Sequence, residues 1–231
     1  MDRDPLDRAS PDRTPPERAA PDVEPSFAPW RTMHVVDAVE RVARMARTRS
    51  RRALRTIAVD GRSGAGKTRF AATLAACLPD ACTVHTDDAA WHHSFFDWHG
   101  PLADRVLAPA RAGRAVRWRP DAWVERHREG AIEVPGGTVW LVVEGVGAAR
   151  RELLAHVDAV VWVACDRAEA RERGIARDGG TPGAAAFWDE WEAAEVPFLS
   201  EQRPWERADL VVCGTPAERV PDRHALVSDR R

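Results

Sequence analysis

Residues Gly61, Arg62, Ser63, Gly64, Ala65, Gly66, Lys67 and Thr68 satisfy the pattern G-x-x-x-x-G-K-[S/T], whose main use is to wrap backbone around a string of phosphates. Glycines let the chain turn tightly, so successive N–H groups point inward at phosphate oxygens. The helix that follows presents its positive N-terminus to the same anion. In such a cradle the Lys67 ammonium bridges the outer phosphates and the Thr68 hydroxyl ligates magnesium. Lys67 is the only lysine among 34 basic residues. All the others are Arg, and a planar guanidinium fork does not replace a compact ammonium held between phosphates. The expected ligands are ATP and Mg2+, with all eight residues lining the site and Phe70 beside it.

Phosphoryl transfer also needs carboxylates, to hold the metal and to accept the proton of an attacking hydroxyl. Asp87 and Asp88 follow the short apolar run 82–86, and Glu144 ends the run 139–143 with Gly145 behind it. One of the two aspartates would be the base, and Glu144 would place the metal and its waters. A helix N-cap or a turn is the structural use of the aspartate pair. Arg171, Arg173 and Arg177 crowd a segment just after the run that ends near Cys165, where guanidinium groups can neutralise charge on a transferred group. Arg177 is the first choice among them. Their structural use is to pair with Glu169, Glu172 and Asp178 on a solvated helix face.

These side chains can meet only if the runs that precede them end on one edge of a sheet. The runs 54–59, 82–86, 139–143, 159–164 and 208–212 are short, apolar and rich in β-branched residues, which predicts five buried strands. Segments 70–78, 102–112, 150–155, 167–177 and 184–202 have helical composition. Val35, Val36, Val39, Val42 and Met45 recur at helical spacing ahead of the first strand. Trp188, Trp191 and Phe198 share helical spacing and read as core. Alternation of strand and helix predicts an α/β fold in three layers: a parallel five-stranded sheet with helices on both faces, its ligands beyond the carboxyl ends of the strands.

At 231 residues the chain suits one domain. Residues 1–29 are mostly Pro, Asp, Arg and Ala and predict a disordered tail, residues 216–231 predict a flexible one, and 30–215 form the domain. A net charge of -2 supplies no field for nucleic acid or an anionic membrane. No run has the apolar length of a membrane span, and the N-terminus lacks the apolar core of a signal peptide, so a cytoplasmic location is expected. The four cysteines form no C-x-x-C pair and read as reduced thiols.

In the order G-R-S-G-A-G-K-T, T-D-D, V-V-E-G and R-E-R-G-I-A-R-D, the chain from about 57 to 214 resembles the uridine kinase and phosphoribulokinase branch of P-loop kinases. The resemblance implies a P-loop NTPase fold, ATP and Mg2+ as cofactors, and a small-molecule acceptor such as a nucleoside. It implies that Asp87 is the general base and that Thr68, Asp87 and Glu144 surround the metal. It also implies that the arginines form a lid, with Arg171 on the nucleotide and Arg173 and Arg177 acting with Lys67 and Asp87 in catalysis. A W-x-x-W-x-x-x-E element, Trp188, Trp191 and Glu195, is similar to one in actinobacterial proteins called uridine kinase-like.

The chain departs from the family where D-x-[F/Y]-Y becomes D-D-A-A, and it contains no tyrosine. Trp91, His92, His93, Phe95, Phe96 and Trp98 follow closely and could supply aromatic contacts instead, unless they pack on Leu102 and Val106. The stretch R-P-D-A-W at 119–123 partly resembles the family's P-x-Y-D-F element. Asp88, Trp91, Asp121 and Trp123 are therefore the expected acceptor contacts. Two readings compete: a kinase acting on the hydroxyl of a small metabolite, and a regulatory module that holds ATP without transferring phosphate. A GTPase is disfavoured, because the chain has no asparagine and no second lysine from which to build N-K-x-D.

Overall fold

Apolar periodicity sets the elements. The computed structural model describes residues 24–216 and 220–229. The chain runs through β1 (Arg31–His34), α1 (Val35–Arg49), β2 (Arg55–Gly61), α2 (Lys67–Cys77), β3 (Ala81–His85) and the short α3 (Thr86–Ala90). It continues through α4 (His99–Leu102), which passes by a π turn into α5 (Ala108–Arg111), then β4 (Val116–Trp118), α6 (Asp121–Glu125) and β5 (Ile132–Val134). The last part holds β6 (Trp140–Glu144), β7 (Ala159–Ala164), α7 (Arg167–Arg177), α8 (Pro182–Gln202), β8 (Leu210–Cys213) and β9 (His224–Ser228).

The main sheet has the order β1-β9-β8-β7-β2-β6-β3, and the five strands from β8 to β3 are mutually parallel. This is the predicted five-stranded parallel sheet. Its residues alternate between two apolar layers, as a sheet covered on both faces requires. Ile57, Val59, Val161 and Val163 face α1 and α2, while Ala58, Val160 and Trp162 face the layer with Leu102, Leu107 and Trp205. Register aligns the strand ends: Val59 lies opposite Glu144, and Glu144 opposite His85. The antiparallel pair β4-β5, with α6 between its strands, forms a separate small sheet whose β5 packs beside β3.

The sheet is wider than the sequence suggests, because β1 and β9 add antiparallel strands at the β8 edge. Residues 224–228, assigned to a flexible tail by their polarity, pair with β8 and bury Val227 and Ser228. Sheet edges recruit short strands through main-chain hydrogen bonds, which composition does not reveal. Residues 24–29 likewise depart from the expected tail. The Glu24 side chain is largely covered and bonds Arg62 and Trp162, and Phe27 is buried with its carbonyl accepting from Ser228 Oγ. The remainder of both predicted tails, residues 1–23, 217–219 and 230–231, lies outside the described residues. No helix among the described residues is long and apolar enough to cross a membrane, and the four cysteines are free.

Candidate phosphate-transfer site

The loop between β2 and α2 takes the shape its glycines allow. Gly64 and Gly66 sit at φ of 82° and 93°, a region that residues with a Cβ rarely enter. A Cβ on Gly64 would also run into the carbonyl oxygen of Ala170, so α7 lies directly on the loop. Lys67 opens α2 and is buried, with Nζ donating to the Arg62 carbonyl at 2.9 Å. The ammonium thus curls back over the loop it serves.

Behind the loop stands a polar chain. Thr68 Oγ1 lies 3.2 Å from Glu144 Oε1, and Glu144 Oε2 is 2.6 Å from His85 Nδ1. Burial pushes the Glu144 carboxyl up, but the His85 hydrogen bond, the Lys67 charge and Thr68 outweigh it and hold the group below its usual range. The same hydrogen bond raises His85 against the opposing effect of burial, helped by the charges of Glu144, Asp88 and Asp87. Asp60, fully buried at the end of β2, accepts from Gly61 N at 2.7 Å and from Gly147 N and Ala149 N at 2.9 Å each. Burial raises its carboxyl despite those three amides. Asp60 thereby ties the phosphate loop to the turn that follows Glu144. His85 and Asp60 were not singled out from sequence, although both sit at carboxyl ends of strands, where ligands collect in such sheets.

The two aspartates part company. Asp87 is exposed in the first turn of α3 and makes no hydrogen bond or ion pair among the described residues. Asp88 is bound to Arg128 Nη2 at 2.6 Å, and its main-chain carbonyl accepts from Trp123 Nε1 at 2.9 Å. The Arg128 guanidinium lies 3.5 Å from the centre of Trp123 and 5.0 Å from that of Trp91, a stacked cation between two indoles. Arg128 is a further site residue that sequence reading missed.

Several expected contacts fall elsewhere. Phe70 is buried in the layer with Ala71 and Leu74 and packs as core, because α2 turns that face toward the sheet and not toward the loop. Trp123 is buried beneath Arg128, so it supports the cleft without facing an acceptor. Asp121 is exposed in the first turn of α6 and has no hydrogen bond or ion pair among the described residues. That position suits a carboxylate through the helix dipole. Phe96 stacks on Phe198 with centroids 4.0 Å apart, Phe95 meets Trp191 at 5.1 Å, and Trp98 is buried. The aromatic loop after α3 therefore packs largely on α8, and Trp91 is the aromatic left beside Asp88.

The lid arginines diverge as well. Arg171 is paired with Asp189 and Glu192 of α8, at 2.6 and 2.8 Å. Arg173 donates to the Gly214 carbonyl at 2.9 Å, next to the loop at Ala65. Arg177 pairs with Asp178, which raises its pKa against burial, and the charge of Asp87 adds to the rise. The charge of Arg177 thus reaches the free aspartate.

Solved structures share this architecture. A chain from Silicibacter sp. TM1040, provisionally named a fructose transport system kinase, aligns with a TM-score of 0.54 at 19% identity, covering 74% of this chain and 95% of that one. The shared feature is the fold, a mostly parallel central sheet flanked by helices. A possible uridine kinase from Bacillus stearothermophilus aligns at 0.46 and 17% identity, over 76% of this chain and 98% of that one. No family model matches the chain, and no curated protein does.

Proposed function

We propose that the chain is an ATP- and Mg2+-dependent phosphotransferase that moves the γ-phosphoryl group to a hydroxyl of a small metabolite. The observation that carries this reading is the convergence at one sheet edge of Lys67, the Thr68–Glu144 pair and the unpaired Asp87. The main-chain amides of Gly64, Gly66, Lys67 and Thr68 suit the phosphates, while Ala65 N donates to the Arg62 carbonyl at 3.1 Å, and Lys67 needs only to leave that same carbonyl to reach them. The hydroxyl of Thr68 and the carboxylate of Glu144, held by His85, form the hard-oxygen donor set that magnesium takes alongside phosphates and water. Bound there, the ion would neutralise charge on the transferred group. Asp87 takes the acceptor's proton as its oxygen bonds to the γ-phosphorus and the bond to the β-phosphate oxygen breaks, releasing ADP. Arg177 faces the same charge.

The kinase name of the Silicibacter chain is in keeping with a sugar-sized acceptor. Asp88, fixed by Arg128, is suited to accept a hydrogen bond from a second hydroxyl. A second reading, an ATP-holding module without transfer, draws on D-D-A-A in place of a tyrosine-bearing element. ADP formation with a panel of nucleosides and sugars separates the two. Acceptor-stimulated turnover that disappears in Lys67→Ala, with the fold retained, supports transfer. Nucleotide binding without stimulation by any acceptor favours the module, and unchanged affinity and turnover in Lys67→Ala defeat the site.

A further inference from the structure

Residues 61, 62 and 63 of the phosphate loop are each held by a different acid. Gly61 N donates to Asp60. Arg62 Nε bonds Glu24 Oε2 at 2.8 Å, and Ser63 N donates to Glu195 Oε1 at 2.7 Å. Asp60 is the penultimate residue of β2, Glu24 lies ahead of β1, and Glu195 projects from α8.

Both remote acids are anchored. Glu24 also accepts from Trp162 Nε1 at 2.6 Å, and its segment is fixed at Phe27 by Ser228. Glu195 is buried on a helix whose Trp191 and Phe198 pack on Phe95 and Phe96. Placing carboxylates out of water is costly unless each meets donors. Here the loop supplies a donor to each: the Ser63 amide to Glu195, and the Arg62 guanidinium, beside Trp162 Nε1, to Glu24. A phosphate cradle works only if its amides are aligned before the ligand arrives. Lys67 rests on the Arg62 carbonyl, so any swing of residue 62 moves the ammonium's seat as well.

We propose that Glu195 and Glu24 are positioning residues of the phosphate cradle, fixing residues 62 and 63 so that the amides of 64 and 66–68 stay aligned for a polyphosphate, while Ala65 N is tied to the Arg62 carbonyl at 3.1 Å. Neither acid touches the ligand; Glu195 acts through the Ser63 amide and Glu24 through the Arg62 side chain. A segment ahead of the first strand thereby belongs to the working site. The assignment rests on the nucleotide-binding reading above.

The test uses full-length wild type, Glu195→Ala, Glu195→Gln and Glu24→Ala. Each is titrated calorimetrically with Mg2+ and ATP, and hydrogen exchange across the loop is followed without nucleotide. Loss of a buried charge-assisted bond should weaken ATP binding about tenfold in either Ala variant. It should also speed exchange at 61–68 while β7 and β8 stay protected. Glu195→Gln keeps an acceptor oxygen for Ser63 N and should stay within about threefold of wild type. Folded Ala variants with affinity within about twofold of wild type and unchanged loop exchange would overturn the proposal. So would faster exchange spread evenly over the sheet, the mark of general destabilisation. Should Glu195→Ala not fold, Glu24→Ala and Glu195→Gln decide by the same criteria. Wild type that takes up no nucleotide would sink the functional reading, while loop exchange would still judge the bracing.

Discussion

Asp87 and Asp88 are neighbours with opposite surroundings, and the difference separates the roles proposed for them. A base must be free to take a proton, and Asp88 is committed to Arg128 while Asp87 is not. Asp87→Asn should therefore lower kcat by roughly 10²- to 10⁴-fold with ATP affinity nearly unchanged. Asp88→Asn should act mainly on the KM for the acceptor, since it loosens Arg128 without removing the base. Steady-state kinetics of both variants check this, and equal losses of kcat would contradict the division of labour. Glu144 shows the same dependence on surroundings: the imidazole of His85 and the hydroxyl of Thr68 keep a buried carboxylate ionised.

At the scale of elements, α8 joins the parts. It meets the phosphate loop through Glu195, the aromatic loop through Trp191 and Phe198, and α7 through Asp189 and Glu192. The α7–α8 contact is close because Gly174 leaves room for Trp188, whose Nε1 also donates to Asp178 at 2.9 Å. A methyl group at residue 174 would meet the indole ring. Gly174→Ala should cost about 1–3 kcal/mol. It should also depress turnover more than ATP binding, because Arg173 and Arg177 ride on α7. Thermal melts paired with kinetics would show it, and a variant with wild-type stability and rate would contradict the packing argument.

Across the whole molecule, the added edge strands and a part-buried polar knot brace the fold. A chain ending at Thr215 would lose β9 and bare the β8 edge. It should melt at lower temperature and self-associate, as unpaired edges do; a monomer with unchanged melting would refute this. The knot centres on Arg150, which donates to the Phe96 carbonyl and pairs with Glu152 at 2.8 Å. Gln202 of α8 accepts from Arg151 N at 2.9 Å. Arg150 holds the Glu152 carboxyl at about 2, well below its ordinary 4.5. A depressed carboxylate stabilises the fold above its unfolded value and loses that contribution as pH falls toward about 2. The melting difference between wild type and Glu152→Gln should thus be largest above pH ~5 and vanish near pH ~2. It will be small, because Glu152 is partly exposed. A difference that grows with acid would reverse the assignment.

The phosphate loop, the helix after it and the five parallel strands could be read from sequence because their signals are local: a fixed glycine spacing, a lone lysine, and short continuous runs of apolar, β-branched residues. Glu144 stood out for the same reason, as an acid closing a buried strand. Tertiary structure alone decided that Asp87 is free and Asp88 engaged, that Phe70 and Trp123 are core, and that Phe95 and Phe96 pack on α8. It alone brought Glu195 to Ser63 across 132 residues and Glu24 to Arg62 across 38. Those outcomes depend on which distant groups share one buried space. A residue's hydrogen bonds and exposure there are set by neighbours that spacing along the chain does not encode.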